Sequence, residues 1–186
     1  IGDHHDEMWD EKDGFFYDVL RLPDGSAVRL KVRSMVGLLP LCASTIFEPD
    51  AVVAHPRLLE LIRLFRERHP EVVAHVAPTD EGYVGHGGRR LLSPLSREKL
   101  ERVLRYLVDE NEFLGPFGIR SLSRHHAEHP FEFRVGGEVH RVSYLPAESD
   151  TGMFGGNSNW RGPVWMPVNA LIVRGLLNLY AFYGDD

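Results

Sequence analysis

The sequence predicts a mainly α protein that carries two short β-hairpins. Three stretches repeat apolar residues at helical spacing, and a fourth is apolar over the length of a helix. Two further stretches alternate apolar and polar residues on either side of a turn, as hairpin strands do. Because each hairpin closes on its own turn and not through a helix, we expect both to be local excursions from a helical body.

Turn residues locate the two hairpins. Residues 15–33 predict the first, with Pro23-Asp24-Gly25-Ser26 as the turn and alternating apolar and basic residues after it. Residues 131–144 predict the second, with Gly136-Gly137 at the turn.

Three helices are expected before the last one. Residues 35–47 are the apolar stretch, in which Pro40 predicts a kink or an early end. Residues 57–69 predict an amphipathic helix, and Ser96 is expected to cap another. The expected buried sides of these two helices are Leu58, Leu61, Ile62 and Phe65, and Leu100, Val103, Leu104 and Leu107.

The last helix follows a polar loop, residues 148–162, in which Gly155 and Gly156 allow unusual backbone angles. Pro163 suits the first position of a helix, where an amide proton is not needed. We therefore expect the helix to begin there and to bury one side of apolar residues. That side would consist of Val164, Val168, Leu171, Ile172, Leu176, Leu179 and Tyr180.

Size and composition exclude several classes of protein. The 186 residues suit one domain, and 43% hydrophobic and 26% charged content is typical of soluble proteins. A formal charge of −6 and scattered basic residues argue against nucleic acid as a partner. No apolar run is long enough for a membrane span, and no cofactor motif is present. The one cysteine, Cys42, suits a reducing compartment, so a cytoplasmic location is expected.

Trp160 and Arg161 are the strongest candidates for ligand binding. They stand between a glycine-containing loop and a rigid helix start, and loops held by rigid elements often carry binding sites. An indole offers a flat apolar face to the C–H surface of a sugar, and a guanidinium can donate to hydroxyl groups. The alternative is that Trp160 packs under the helix while Arg161 neutralises Asp150 or a carbonyl at a helix C-terminus.

Glu148 and Asp150 are candidate acids, because in an extended loop they lie on one side about 7 Å apart. Their spacing alone favours capping or ion pairing over catalysis. His125 and His129 could share a helix face and hold a metal, but no further ligand is evident, so no metal site is predicted.

Several motifs resemble the bacterial branch of the family 63 glycoside hydrolases, which is related to mannosyl-oligosaccharide glucosidase and mannosylglycerate hydrolase. The resemblance extends over nearly the whole chain, and the Asn-Trp-Arg-Gly-Pro-Val-Trp run is its most specific part. The matching stretches are Trp9-Asp10-Glu11, residues 14–18, 31–38, 113–123, 146–152 and 154–165.

The resemblance implies a segment of an (α/α)6 toroid and inverting hydrolysis of an α-glycosidic bond. Residues 1–186 are too few for a whole toroid, so they are expected to form a single, incomplete segment of the catalytic domain. The family's general acid is expected before Trp9-Asp10 and its base after the last helix, which leaves the catalytic residues unknown.

The resemblance also assigns sugar contacts. It places Trp160 as a stacking platform with Asn159 and Arg161 as ligands for hydroxyl groups. Glu148 and Asp150 would contact the substrate or support the residues that do, and Trp9, Asp10 and Tyr17 would lie near the same pocket. The expected partner is therefore a carbohydrate substrate.

Two other interpretations remain open at this stage. The chain could be a non-catalytic helical module that binds carbohydrate or another protein. As part of a larger domain, it would also expose helix faces that are normally covered, so self-association through these faces is possible.

Overall fold

The computed structural model describes residues 7–70, 84–147 and 160–185. The α-helices are α1 (Pro49–Ala54), α2 (Pro56–Arg68), α3 (Arg97–Val108) and α4 (Met166–Tyr183). The 3-10 helices cover Met35–Ala43, His86–Gly88 and Arg124–Ala127. None of the described helices is long and apolar enough to cross a membrane.

Ten strands are present in the described residues. They are β1 (Trp9–Asp10), β2 (Phe15–Phe16), β3 (Asp18–Arg21), β4 (Ala27–Leu30), β5 (Thr45–Phe47), β6 (Arg90–Leu92), β7 (Leu114–Gly115), β8 (Gly118–Ile119), β9 (Phe131–Val135) and β10 (Glu138–Val142). They pair into five antiparallel two-stranded sheets: β1 with β2, β3 with β4, β5 with β6, β7 with β8 and β9 with β10.

The prediction of a mainly α segment of a toroid is wrong, because the part of the chain that the structure describes is 42% helical and 24% strand. Both predicted hairpins are present as β3–β4 and β9–β10. The three additional sheets account for the difference. A turn that ends at Gly14 lets β1 and β2 pair, and a turn at Pro116-Phe117, followed by Gly118 with positive φ, lets β7 and β8 pair. Strand β5 pairs with the distant β6.

The predicted apolar helix at residues 35–47 is also only partly correct. It forms a 3-10 helix with Pro40 inside, and the chain then becomes strand β5. Proline supplies no amide proton for the i−4 hydrogen bond of an α-helix, which explains the shorter and tighter form.

Helix α3 confirms most of its prediction. Leu100, Val103 and Leu107 are buried and Leu104 is half-buried, and the Lys99 amide donates to the Ser96 hydroxyl at 3.3 Å. In α2, by contrast, the predicted buried residues Leu61 and Phe65 are 56% and 52% exposed. An amphipathic pattern reports that a helix has an apolar side, but the cover for that side must come from elsewhere in the protein.

Helix α4 begins three residues later than predicted, at Met166. Its buried side is also rotated from the expected one, since Leu171 and Tyr180 are exposed. The residues that are buried are Ile172, Gly175, Leu179 and Phe182. Gly175 brings the helix against the Leu41 carbonyl, since a Cβ atom there would lie 2.3 Å from that oxygen.

The chain forms two compact units, residues 1–38 with 101–169 and residues 39–100 with 170–186. An aromatic cluster fills the first unit: Phe15 stacks on Phe113 with ring centroids 5.7 Å apart and meets Tyr106 edge-on at 5.0 Å. In the second unit, the Ser44 and Ser93 hydroxyls share a buried hydrogen bond of 2.9 Å, and Asn178 donates to the Ser44 carbonyl at 2.9 Å.

Candidate functional site

Two stacked indole rings form the most exposed aromatic surface among the predicted site residues. The rings of Trp160 and Trp165 lie 4.0 Å apart at their centroids with an interplanar angle of 21°. Trp160 is 46% exposed. One face is therefore supported by Trp165 while much of the ring stays open to a ligand. This differs from the alternative in which Trp160 packs under the helix.

The backbone next to this pair is tied to a distant stretch of the first unit. The Gly162 amide donates to the buried Ser121 hydroxyl at 2.9 Å, and the Ser121 amide donates to the Pro163 carbonyl at 3.0 Å. Gly162 has φ +145°, and a Cβ atom there would lie 2.6 Å from the Tyr144 ring. Only glycine suits both conditions, so the residues after Trp160 are held in a fixed path.

Arg161 lies inside the protein, with 3% of its surface exposed. Its carbonyl accepts from the Leu145 amide, which continues the backbone pairing beside the tryptophans. Within the described residues, the exposed part of the candidate site is thus aromatic and not cationic. The expected role of Arg161 as a ligand for hydroxyl groups stays a prediction.

Three of the predicted sugar contacts, Asn159, Glu148 and Asp150, lie outside the described residues. Their proposed roles also stay predictions.

Trp9, Asp10 and Tyr17 are buried, with 6%, 4% and 2% exposure. The Trp9 ring packs on Phe16 with centroids 4.7 Å apart and lies under the Arg102 guanidinium at 5.4 Å. These three side chains do not present a surface to a large ligand in this structure. The expected position of Trp9, Asp10 and Tyr17 near the substrate pocket stays a prediction.

Asp10 belongs to a compact group of charges. Its carboxylate lies 3.0 Å from the Arg29 guanidinium and 2.9 Å from the Lys31 ammonium. Burial alone would raise the pKa of the Asp10 carboxyl. The Asp13 amide, a hydrogen bond from Lys31 and the two cations outweigh burial and lower this pKa to about 2. Asp10 is therefore ionised at any ordinary pH.

Tyr17 adjoins the same group. Its hydroxyl donates to the Asp13 carboxylate at 3.0 Å, and that carboxylate also lies 3.1 Å from Lys31. Burial raises the pKa of the Tyr17 phenol far above its usual value, and the nearby Asp13 charge acts in the same direction. The phenol stays protonated and serves as a donor.

A second charge group, centred on Glu112, was not predicted from the sequence. One carboxylate oxygen accepts from Arg33 and the other from the fully buried Ser123 hydroxyl. The Arg33 guanidinium also lies 5.0 Å above the Tyr106 ring. A signal was present, because Arg29, Lys31 and Arg33 alternate along the chain and so point to one side.

The histidine cluster has a structural role in the described part of the chain. The buried His126 ring accepts from the Arg33 amide through Nε2 at 2.9 Å, and its Nδ1 lies 2.8 Å from the His129 carbonyl. Burial lowers the pKa of His126, and burial with the Arg33 charge lowers that of His125 to about 4. Among the described residues, no cluster of three or more His, Cys, Asp or Glu could hold a metal ion.

A polar cavity of about 330 Å³ lies elsewhere in the first unit. The Arg102 guanidinium, which lines this cavity, donates to the Glu11 and Lys12 carbonyls. The Tyr106 hydroxyl donates to the Asp13 carbonyl at 2.6 Å. None of the predicted sugar contacts lines this cavity. The lining residues are Lys12, Asp13, Arg102, Arg105, Tyr106, Asp109 and Glu112.

Comparison with known proteins gives this geometry a context. Residues 91–185, just over half of the chain, match the mannosylglycerate hydrolase MGH1-like glycoside hydrolase domain. An uncharacterized protein of Saccharomyces cerevisiae is 45% identical over 96% of this chain. A probable mannosyl-oligosaccharide glucosidase of Schizosaccharomyces pombe is 30% identical over 48% of it.

The chain spans only 16% and 8% of the lengths of these two relatives. The matches support the resemblance to family 63, whereas the bacterial branch and the position of this segment in a catalytic domain stay predictions. The stretch matched by the family model contains the stacked tryptophans, Arg161 and the whole of α4. The chain belongs to the mannosylglycerate hydrolase MGH1-like glycoside hydrolase domain family.

Proposed function

We propose that this chain is part of an inverting, glucosidase-like α-glycoside hydrolase that acts on a small or oligomeric α-linked sugar. The observation that carries the proposal is the half-exposed Trp160 ring supported by Trp165. The names of the matched domain and of the Schizosaccharomyces pombe relative refer to hydrolysis of mannosylglycerate and to a glucosidase, which supports this substrate class.

In the proposed site, the open face of Trp160 contacts the C–H surface of one sugar ring. Asn159 and Arg161 bind the hydroxyl groups of this sugar ring. Glu148 and Asp150 contact the substrate or orient the side chains that contact it. The hydrogen bond from the Gly162 amide to Ser121 already holds the backbone beside Trp160 in place. Sugar binding therefore loses little conformational entropy in this segment.

Inverting hydrolysis requires one carboxylic acid that protonates the leaving oxygen and one carboxylate that activates water. Asp10 does not suit the acid role, because its pKa of about 2 keeps it ionised beside two cations. We place both catalytic groups outside residues 1–186. The chain by itself should therefore bind sugar without hydrolysing it.

Trp160→Ala is expected to abolish the heat of glycoside binding in calorimetry, because it removes the exposed ring face on which the sugar is proposed to stack. Trp160→Phe should retain part of it, since a smaller ring still stacks. Val139→Ala, at an exposed apolar position of the β9–β10 hairpin, is the control and should bind as the unchanged chain does. Unchanged binding by Trp160→Ala would contradict the proposed platform.

A non-catalytic carbohydrate-binding or interaction module is the alternative, and it makes the same binding prediction. The two differ once the neighbouring parts of the catalytic domain are supplied, when only the hydrolase gains turnover of an aryl α-glucoside. The lone cysteine supports a cytoplasmic location for either function.

We also propose that the isolated chain associates with a second copy through α4. Opposite its buried side, α4 exposes apolar residues spaced by three, four and three positions. Apolar residues at this spacing allow two helices to pack against each other, as in coiled coils. Because every copy of the chain carries the same residues, two copies can pair through α4. The exposed residues are Ala170, Val173, Leu177 and Tyr180.

Leu177→Glu is expected to turn an associated chain into a monomer by light scattering and to reduce the binding of a hydrophobic dye. Leu177 is 62% exposed, so its replacement removes contact area without opening the core. Val139→Glu makes the same change at an exposed position of another element and should leave the mass unchanged. A monomeric parent chain that binds no dye would refute the proposal.

A further inference from the structure

We infer that Phe117 is a second aromatic contact of the proposed sugar site and that it binds the unit next to the ring held by Trp160. This inference rests on the proposed function. It extends the ligand from a single sugar ring to a chain of at least two units.

Among the described residues of the first unit, Phe117 is the most exposed large apolar one, at 87%. It stands in the turn between β7 and β8, where Pro116 precedes it and Gly118 follows it. So exposed a side chain gains almost nothing from packing. An aromatic ring at such a position is available to contact a ligand.

The turn that carries Phe117 is rigid. Gly115 and Gly118 pair across it, and the nearly buried Arg120 guanidinium donates to the carbonyls of Glu110, Glu112 and Leu114. The ring is thus presented on a fixed scaffold and not on a loose loop, which lowers the ordering cost of binding.

This turn lies directly beside the residues that carry the tryptophan pair. A Cβ atom on Gly118 would lie 3.0 Å from a methyl carbon of Val164 and 2.8 Å from the Asn169 side-chain oxygen. The Asn169 side-chain oxygen accepts from the backbone amide of Ile119 at 2.7 Å. The Asn169 side-chain nitrogen donates to the backbone carbonyls of Ile119 and Trp165 at 3.0 Å each. One side chain therefore holds the turn and the tryptophan segment together.

The backbone also brings the two segments together at one point. Arg120 and Val164 form an isolated antiparallel bridge, and α4 begins two residues after Val164. Phe117 stands three residues before Arg120, and Trp165 directly follows Val164. The aromatic residues of the two segments therefore stand close to the same bridge.

The chemistry favours a sugar unit as the occupant. The Trp160 ring is open on the same stretch of chain, and pyranose rings joined in sequence present successive C–H faces to aromatic side chains. A second sugar ring stacks in the same way on a second aromatic side chain, and Phe117 supplies one.

The test compares binding of methyl α-glucoside with binding of maltose by calorimetry on the 186-residue chain. Phe117→Ala should weaken maltose binding roughly fivefold and change methyl α-glucoside binding less than twofold. Phe117→Tyr keeps the ring and should restore the preference for maltose. Phe65→Ala removes an exposed phenylalanine of the other unit and should change neither ligand.

The outcomes separate this inference from the proposed function. If neither ligand binds, or if Trp160→Ala binds both normally, the proposed function and the inference fall together. If Trp160→Ala loses both ligands while Phe117→Ala binds both as before, only the inference is refuted. An equal loss of both ligands in Phe117→Ala, or a change of oligomeric mass with unchanged binding, also refutes it.

Discussion

Glu112→Ala is expected to lower the free energy of unfolding by about 3 kcal/mol, because it breaks a largely buried ion pair and leaves two partners unsatisfied. Arg33 would lose the acceptor of its guanidinium, and the fully buried Ser123 hydroxyl would lose the other carboxylate oxygen. Both partners lie where two distant stretches meet, since the Ser123 amide donates to the Arg33 carbonyl at 2.8 Å. The loss should therefore open that junction.

Hydrogen exchange provides the readout for this prediction. The amides of Ser123 and Met35, which bridge the two stretches, should exchange faster in Glu112→Ala, together with a lower urea midpoint. Glu112→Gln keeps the shape of the side chain but not its charge, so it should lower the free energy of unfolding less than Glu112→Ala does. Glu138→Ala, at an exposed hairpin position whose carboxylate lies 3.9 Å from the His140 ring nitrogen, is the control with almost no expected change. Equal effects of Glu112→Ala and Glu138→Ala would contradict the prediction.

Gly175→Ala is expected to destabilise the second unit by about 2 kcal/mol, even though alanine favours helix by about 1 kcal/mol over glycine. The added methyl group would lie 2.3 Å from the Leu41 carbonyl oxygen and 3.3 Å from the Cys42 Cα atom. Backbone atoms cannot move aside as a flexible side chain can. Helix α4 must therefore shift away from the Leu41-Cys42 segment.

The single cysteine makes this shift measurable. Burial raises the pKa of the Cys42 thiol, so the native thiol reacts slowly, and a displaced α4 should make it react faster with an aromatic disulfide reagent. Arg174→Ala changes the neighbouring exposed residue and should leave both the thiol rate and the melting temperature unchanged. A Gly175→Ala chain with native thiol reactivity and raised stability would contradict the packing described here.

Elements that depend on local pattern could be predicted from the sequence. Helix α3 has both a regular apolar stripe and a capping serine, and the two hairpins have turn residues between alternating strands. The β5–β6 pair could not be predicted, because each strand has only three residues and its partner lies far along the chain. Short segments take their conformation from such distant partners.

The candidate site shows the same division. Trp160 and its rigid neighbourhood follow from the loop and helix-start residues, and Trp160 is indeed exposed. The burial of Arg161 and Asp10 depends on residues brought from elsewhere: Leu145 beside Arg161, and Arg29 and Lys31 around Asp10. Local spacing indicates which chemistry is present but not whether solvent or protein surrounds it.

The interleaving of the two units has a consequence for biosynthesis. Residues 1–38 complete their unit only with residues 101–169, and residues 39–100 only with 170–186. On the ribosome, the aromatic cluster around Phe15 must wait for Phe113, and the Leu41 segment must wait for Gly175. Nascent chains that are released early would leave both sets of apolar side chains uncovered, so their survival would depend on chaperones that shield such surfaces.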